Sequence, residues 1–242
     1  MKVSWVLLTW NRRETVQESI RHNFLNAGAE IDEVVYVDNG STDWTPIMVQ
    51  GELKPETQVL HNKNQGAAKG YNRAMSLATG DIIVITGCDM LMPDNWLRIF
   101  KEYLTAIPNT GAASMYQTHH DNVPERLKGE QTTLNGLPIV PAMPMGRKAF
   151  SRDFLRKVGY LREDFNLYGW EDVEWGHRCE RVAKENGLIN YVIPNKICRH
   201  LGKEQDTEEY KKWKQEQASD PRVLDLMKWC HDNNFPYYNP YL

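Results

Sequence analysis

The 242-residue sequence lacks several features that would place it in other classes of protein. It has no apolar run near the roughly 20 residues that a membrane-spanning helix needs. Its four cysteines form no C-x-x-C pair, which argues against a zinc ribbon or a thioredoxin-like site and favours buried free thiols. A Walker P-loop is absent. The formal net charge of −3 gives no general reason to expect nucleic acid or anionic membrane as a partner.

The N-terminal segment, MKVSWVLLTWNRR, does not have the pattern of a signal peptide. Its apolar run is short and no small-residue cleavage site follows it. We therefore interpret the segment as a first β-strand, and we expect a cytoplasmic protein without a membrane span.

The first part of the chain, to about residue 110, alternates strand and helix patterns in the way that parallel α/β sheets do. Strands are predicted at 3–9, 33–37, 58–61 and 81–86, and helices at 11–27, 43–53, 67–78 and 93–106. In open sheets of this kind, ligands bind at the carboxyl ends of the strands. Polar segments directly follow the four strands, and we expect them to meet at one edge: residues 9–12, 38–43, 61–66 and 87–89.

The second part of the chain is less regular. The pattern predicts a strand at 111–118, a loop-rich stretch at 122–144, two short strands at 189–193 and 196–200, helices at 151–158, 171–186 and 204–217, and a non-helical aromatic tail. We expect one domain over residues 1–242. Its parts would be a nucleotide-binding half (1–110), an acceptor and catalytic half (111–203) and a C-terminal helix and tail (204–242).

Two polar segments of the first half allow more than one role. In VDNGSTD, an Asn-Gly turn followed by hydroxyl residues suits the start of a helix, and Asp38 at the strand end can also accept hydrogen bonds from a nucleobase. In NKNQGAAKG, Gly66 leads directly into a predicted helix, whose first amide groups can face an anion.

Two groups in the second half could carry chemistry. Glu171 and Asp172 stand where a helix begins, beside Trp170. The helix dipole alone favours acidic residues there, but adjacent carboxylates next to tryptophan also suit a sugar site, because carboxylates bind hydroxyl groups and act as general bases. His200 has either a structural role or a role as a metal ligand. A nearby carboxylate such as Asp89 would favour the role as a ligand.

The order of TWNR, VDNGSTD, NQGAAKGYNRA, a strand ending in Asp89, YGWEDVEW and CRH resembles family 2-type glycosyltransferases over roughly residues 3–203. The last two segments are similar to galactosyl- and N-acetylgalactosaminyltransferases, which share a W-x-ED element and a late metal-binding histidine. The resemblance implies a GT-A fold, an α/β Rossmann-like architecture with a mixed, mostly parallel central sheet and flanking helices. It also implies a nucleotide-sugar donor, usually a UDP-sugar, and Mn²⁺ or Mg²⁺.

The resemblance further implies roles for single residues. Asp89, as the last Asp of a D-x-D motif, and His200 would bind the metal. Asp172 would be the general base of an inverting single displacement, with Glu171 orienting a hydroxyl group and Trp170 forming an apolar wall. The implied nucleotide-binding residues are Thr9, Asn11, Arg12, Asp38, Asn64, Gly66 and Lys69. The chain departs from the family pattern at Gly87 and Cys88, where members commonly have at least one further acidic residue.

Two other functions fit parts of the sequence. A nucleotidyltransferase would need two neighbouring carboxylates for two metals, and the GCD segment supplies one. A non-catalytic nucleotide-sugar-binding module is consistent with the lost acidic position, whereas the retained Glu171, Asp172 and His200 argue against it.

The sequence does not identify the acceptor, of which only a hydroxyl group is expected. Residues 117–145 are expected to shape its site because they form the long irregular segment, in which His119 and His120 are either exposed loop or part of the site. The charged stretch 203–217 is interpreted as a solvated helix face, and its lysines leave an anionic acceptor, such as a polysaccharide or a modified nucleic acid, as the weaker alternative.

Overall fold

The computed structural model describes residues 1–118, 131–165, 167–201 and 206–242. The strands in these ranges are β1 Val3–Thr9, β2 Glu33–Asp38, β3 Thr57–Leu60, β4 Ile82–Ile85, β5 Met90–Leu91, β6 Thr110–Thr118, β7 Thr132–Leu134, β8 Leu137–Pro141, β9 Lys148–Ser151 and β10 Ile189–His200. The helices are α1 Arg13–Leu25, α2 Thr45–Leu53, α3 Ala67–Leu77, α4 Trp96–Ala106, α5 Arg152–Val158, α6 Glu171–Asn186, α7 Glu208–Ala218 and α8 Pro221–Asp232. In the part of the chain that is described, no helix combines the length and apolar character needed to cross a membrane.

The sheet has the strand order β3-β2-β1-β4-β9-β6-β10-β8-β7, and β5 pairs with β10. β3, β2, β1 and β4 are parallel. The chain moves outward from β1 to β2 and β3, and β4 then lies on the other side of β1. Because ligands of open α/β sheets bind outside the carboxyl ends at such a reversal, the topology places the expected site beyond β1 and β4. The predicted mixed, mostly parallel sheet with flanking helices is confirmed.

β1 is apolar along nearly its whole length because helices cover both faces of the sheet. Successive side chains of a strand point to opposite faces. Trp5 and Leu7 therefore join the core formed with α1 and α4, whereas Val6 and Leu8 join the core formed with α3, α5 and α6.

A buried arginine, paired within α6, connects this helix to the end of α5. The side chains of Glu174 and Arg178 are fully buried, with 2.6 Å between Glu174 Oε2 and Arg178 Nη2. Arg178 also donates to the carbonyls of Val158 and Tyr160, which lie outside α6. Since both charges are paired and hydrogen-bonded, their burial is tolerated, and the start of α6 is held at the carboxyl edge of the sheet.

Three predictions for the second half need correction. The stretch predicted to be loop-rich contains a hairpin, β7 and β8, around Asn135 and Gly136, whose φ angles of 48° and 82° suit a tight hairpin turn. The two short strands predicted at 189–193 and 196–200 form one strand, β10, with a register shift between Ile193 and Ile197. The helix predicted at 204–217 begins at Glu208, and the sequence pattern did not indicate β9 or α8 in this half or β5 in the first half.

β9 and β10 bring two further segments to the carboxyl edge. β9 is antiparallel to β4 and β6 and pairs Lys148 with Ile85, so its first residue lies where the parallel strands end. β10 pairs His200 with Met90 of β5, and the amide of the following residue donates to the carbonyl of Asp89 at 2.9 Å. The histidine predicted to bind metal therefore lies beside the predicted carboxylate.

Candidate active site

Two adjoining cavities lie at the carboxyl edge of the sheet. The first has a volume of about 500 Å³, and its wall includes residues from the ends of β1 and β4, the first turn of α6 and α7. The structure brings together in this wall the predicted residues Thr9, Arg12, Asn64, Asp89, Trp170, Glu171, Asp172 and His200.

Asp38 and Asn11 organise the loops beside this cavity and do not line it. Asp38 is 2% exposed, and its carboxylate accepts hydrogen bonds from the hydroxyls of Thr9 and Ser41 at 2.8 and 2.6 Å. Asn11 accepts a bond from the backbone amide of Thr42 at 2.8 Å. The carboxylate of Asp38 already accepts these hydrogen bonds, and a nucleobase would have to bind in addition to them. The placement of Asp38 and Asn11 therefore supports a structural role.

Gly66 and Lys69 also lie outside the cavity wall. The amide of Gly66 donates to Asn64 Oδ1 at 2.9 Å, and the amide of Ala67 donates to the carbonyl of Leu167 at 3.0 Å. Protein acceptors therefore occupy these two amides, and the anion site at Gly66 stays a prediction. Lys69 is exposed on α3, and its position does not support contact with a nucleotide.

Asp89 lies among cations. Its Oδ2 is 3.8 Å from His200 Nε2 and 3.2 Å from Arg12 Nη1. Burial raises the pKa of Asp89, but the charges of His200, Arg12, Arg147 and Lys214 outweigh that effect and hold the pKa below its ordinary value. The side chain is therefore an ionised carboxylate at neutral pH.

The chemistry of this pair fits a divalent metal with few protein ligands. Among the described residues there is no group of three or more His, Cys, Asp and Glu side chains suited to a metal ion. A carboxylate oxygen and an imidazole nitrogen this close can supply two ligands to Mn²⁺, and oxygen atoms of a bound diphosphate and of water suit the remaining positions.

Arg12 reaches the cavity through an unusual backbone turn. Asn11 and Arg12 have φ angles of 54° and 66°, a left-handed conformation that costs free energy in residues other than glycine. The guanidinium lies between Asp89 and Asp206, with its Nη2 2.8 Å from Asp206 Oδ1. Lys214 of α7 binds the other oxygen of Asp206, also at 2.8 Å. Asp206 therefore links α7 to the loop after β1.

α7 forms one wall of the cavity, which corrects its interpretation as a solvated face. The ring centroids of Trp213 and Trp10 are 5.1 Å apart, and Tyr210 stacks on Trp213 at 5.6 Å. Lys214 Nζ lies 4.6 Å from the centroid of Tyr210. The sequence signal was the pair of aromatic residues at i and i+3, which share one face of a helix. Flat aromatic surfaces of this kind suit a base or the apolar face of a sugar.

Glu171 and Asp172 occupy the first turn of α6. Burial and the charge of Asp172 raise the pKa of Glu171 to about 7. The indole nitrogen of Trp170 donates to the carbonyl of Ala218 at 2.8 Å, which holds the ring against the end of α7. Trp170 directly precedes Glu171, so the W-x-ED spacing of the compared branches is not present in this chain.

The second cavity, of about 540 Å³, is lined by residues of β6, β8 and β10 and by the segment before β9. Its wall includes Met115, Met143 and Met145, and it shares Arg147 and Asp172 with the first cavity. Asp172 therefore lies where the two cavities meet. His119 and His120, within the predicted acceptor segment, lie outside the described residues.

Arg147 and Lys148 are site residues that the sequence pattern did not indicate. They reach the cavity because β9 is antiparallel and begins at the carboxyl edge. Lys148 is 4% exposed, and its Nζ lies 4.5 Å from the centroid of the Trp175 ring. Burial lowers the pKa of Lys148, and the nearby charge of Asp172 opposes that shift.

The sequence from residue 4 to residue 177 matches the family described as glycosyl transferase family 2. The chain belongs to this family. Hyaluronan synthase of Pasteurella multocida is 26% identical to it over 241 residues, an alignment that covers 81% of this chain. The same alignment covers 24% of the synthase, so the chain spans about a quarter of the length of that relative.

Solved glycosyltransferase structures share the fold of this family 2 chain. A mannosyltransferase from Pyrobaculum calidifontis, in complex with GDP-Man and Mn²⁺, has a TM-score of 0.68 and 25% identity, over 94% of this chain and 64% of that one. TarS of S. aureus (residues 1–349), in complex with UDP, has a TM-score of 0.65 over 82% of this chain and 59% of that one. TarS is 18% identical, so it shows the fold alone. The predicted GT-A fold is confirmed.

Proposed function

We propose that this family 2 protein transfers a sugar from a nucleotide-sugar donor to an acceptor hydroxyl group, by an inverting displacement that uses Mn²⁺ or Mg²⁺. The observation that carries the proposal is the position of Asp172, whose side chain lines both cavities. A single displacement needs the donor and the acceptor on two sides of one reaction centre, with a proton acceptor at that centre. Two cavities that meet at a carboxylate satisfy this requirement.

The first cavity is the proposed donor site. It lies at the carboxyl ends of β1 and β4, where the strand order reverses, and its volume is typical of sites for small ligands. Trp10 and Trp213 offer flat faces to a base or a sugar. A UDP-sugar is the donor that we propose, and the GDP-Man complex of the similar mannosyltransferase makes GDP-sugars the first alternative to test.

The proposed metal ligands are Asp89 and His200. A bound divalent ion would offset the negative charge that develops on the leaving diphosphate. Arg12, which lies 3.2 Å from Asp89, balances the charge of that carboxylate in the protein without ligands.

The proposed general base is Asp172, which accepts the proton of the acceptor hydroxyl. Glu171 orients a hydroxyl group of the sugar or the acceptor, and since its pKa is about 7 it can donate as well as accept a hydrogen bond near neutral pH. Trp170 forms the apolar wall beside this pair. The acceptor enters from the second cavity, where methionine side chains adapt to an apolar or sugar surface.

The sheet runs without a break from the strands of the donor site to those of the second cavity. This continuity supports one catalytic unit over residues 1–242. Within it, residues 1–110 form the nucleotide half, 111–203 the acceptor half, and 204–242 a C-terminal part that closes one side of the donor site.

A donor screen by thermal unfolding tests the proposal. UDP- and GDP-sugars are added one at a time, with Mn²⁺ and with EDTA. At about 100 times Kd a ligand stabilises by about 2.7 kcal/mol, which corresponds to a rise in Tm of about 5–10 °C for a chain of this length. We expect such a rise with one donor and Mn²⁺, and slow Mn²⁺-dependent release of the nucleoside diphosphate would distinguish an enzyme from a binding module. No shift with any donor would contradict the proposal.

A further inference from the structure

Arg147 has buried donors without partners at the point where the two cavities meet. Its side chain lines both cavities. Its Nε and Nη1 atoms are buried, and neither has a hydrogen-bond partner in the described structure. The backbone of the residue is anchored, because its carbonyl accepts a bond from the amide of Met115 at 3.1 Å, directly before β9. The unpaired donors therefore belong to a residue held by the sheet.

An arginine with unpaired buried donors is suited to bind an anion. The guanidinium has five N–H donors and does not lose its charge in proteins. Leaving such donors buried and unpaired costs free energy, which an anionic ligand recovers on binding. Phosphate oxygens match the planar fork, since they can accept two parallel hydrogen bonds.

The surroundings favour a diphosphate over other anions. Arg147 lines the first cavity together with the proposed metal ligands Asp89 and His200. Its positive charge also contributes to the lowered pKa of Asp89. The wall of the first cavity also contains the cations Arg12, Lys148 and Lys214. Gly87 stands where family members commonly have an acidic residue, which makes this end of the cavity more positive.

We infer that Arg147 binds the diphosphate of the donor at the junction of the two cavities. This inference rests on the proposed function. In the transfer, the bond between the anomeric carbon and the β-phosphate oxygen breaks, and its electron pair leaves with the nucleoside diphosphate. The acceptor oxygen forms the new bond, and its proton goes to Asp172. Arg147 donates hydrogen bonds to the departing phosphate, and a divalent ion held by Asp89 and His200 would offset charge on the same group.

Binding of UDP, GDP and the matching monophosphates to the protein, measured by calorimetry with Mn²⁺ and again in EDTA, tests the inference. We expect Arg147→Gln to weaken binding of the diphosphate about 10- to 100-fold, which is the range for hydrogen bonds to charged groups. Binding of the monophosphate should change little, because the second phosphate makes the contact. Arg147→Lys should recover part of the affinity, since it keeps the charge and loses the fork. Arg98→Gln, at an exposed arginine on α4, is the matched control and should bind as the wild type does.

The stability of the ligand-free variants separates this role from a structural one. Because two of its donors are buried without hydrogen-bond partners, removing the guanidinium should leave the Tm of Arg147→Gln unchanged or raise it, whereas removing a structural arginine would lower it. Equal losses for monophosphate and diphosphate, or diphosphate affinity equal to that of the wild type in both Arg147 variants, would overturn the inference. An effect seen only on the KM of the acceptor would assign Arg147 to an acceptor anion and would overturn it too. If the wild type binds no nucleoside diphosphate even with Mn²⁺, the proposed function itself fails.

Discussion

Replacement of Glu171 by glutamine should stabilise the ligand-free protein, and more so as the pH rises. Burial and the neighbouring Asp172 raise the pKa of Glu171 to about 7, against an ordinary value of 4.5. The folded state thus binds the proton more tightly than the unfolded chain does. The contribution of Glu171 to the free energy of unfolding is therefore fully present below pH 4.5 and is lost as the pH rises through about 7.

The size of the effect follows from these two pKa values. At 1.36 kcal/mol per pKa unit, the difference corresponds to at most roughly 3 kcal/mol above about pH 8. Because the side chain of Glu171 is half-buried, screening by solvent reduces this to roughly 1–2 kcal/mol. Glutamine keeps the shape of the side chain and cannot ionise, so the variant avoids this cost.

Urea unfolding of both proteins in EDTA, at about pH 4.5 and about pH 8, measures the difference. We expect Glu171→Gln to match the wild type closely at the lower pH and to exceed it by roughly 1–2 kcal/mol at the higher pH. Glu14→Gln is the matched control, because Glu14 is also in the first turn of a helix but is exposed. That control should lose about 0.3–1 kcal/mol through the helix dipole. If Glu171→Gln loses stability at pH 8 as the control does, Glu171 is an ordinary residue of a helix start and the reasoning is refuted.

Three further substitutions, the last of them with a matched control, have expected outcomes. Asp172→Asn should lower turnover about 10²- to 10⁴-fold while donor affinity, measured by calorimetry, stays near that of the wild type, and full activity would remove Asp172 from the role of base. Asp89→Asn should abolish the gain in nucleotide affinity on adding Mn²⁺, and a preserved gain would place the metal elsewhere. Gly169→Ala should lose roughly 1–3 kcal/mol in urea unfolding, because φ is +103° and the new Cβ would lie 2.9 Å from the Cβ of Ala218. Gly51→Ala, in α2 with nothing within 4 Å, should instead gain about 0.4–1 kcal/mol, and equal effects at both glycines would contradict the close approach at residue 169.

The first half of the fold was predictable because its signals are local. The parallel strands β1, β2 and β4 are largely apolar and buried on both faces, and a polar turn follows each of them. The convergence of Asp89 with the end of β1 followed from the rule that ligand sites lie at the carboxyl ends of such strands. The predicted boundaries of these elements differ from the observed ones by only a few residues.

The second half was less predictable because its decisive contacts are distant in sequence. β9 has four residues, and its place between β4 and β6 depends on pairing with strands more than 30 residues away. Nothing local therefore indicated that Arg147 and Lys148 enter the site. The Asn135-Gly136 turn was a usable hairpin signal, but the prolines around it favoured a loop. Asp38 shows a different difficulty. A carboxylate at the end of a strand has the same sequence pattern whether it binds a ligand or accepts hydrogen bonds from a neighbouring loop, as Asp38 does.

The position of α7 after the family match affects how family 2 proteins should be truncated and how their sequences should be compared. The family match ends at residue 177, whereas His200, Tyr210 and Trp213 come later in the chain and line the proposed donor cavity. A protein truncated at the family boundary would lose one wall of that cavity together with one of the two proposed metal ligands. Differences in donor preference between relatives can therefore arise in a region that the family pattern does not cover. Exchanging residues 206–218 between relatives is thus a direct way to move that preference from one chain to another.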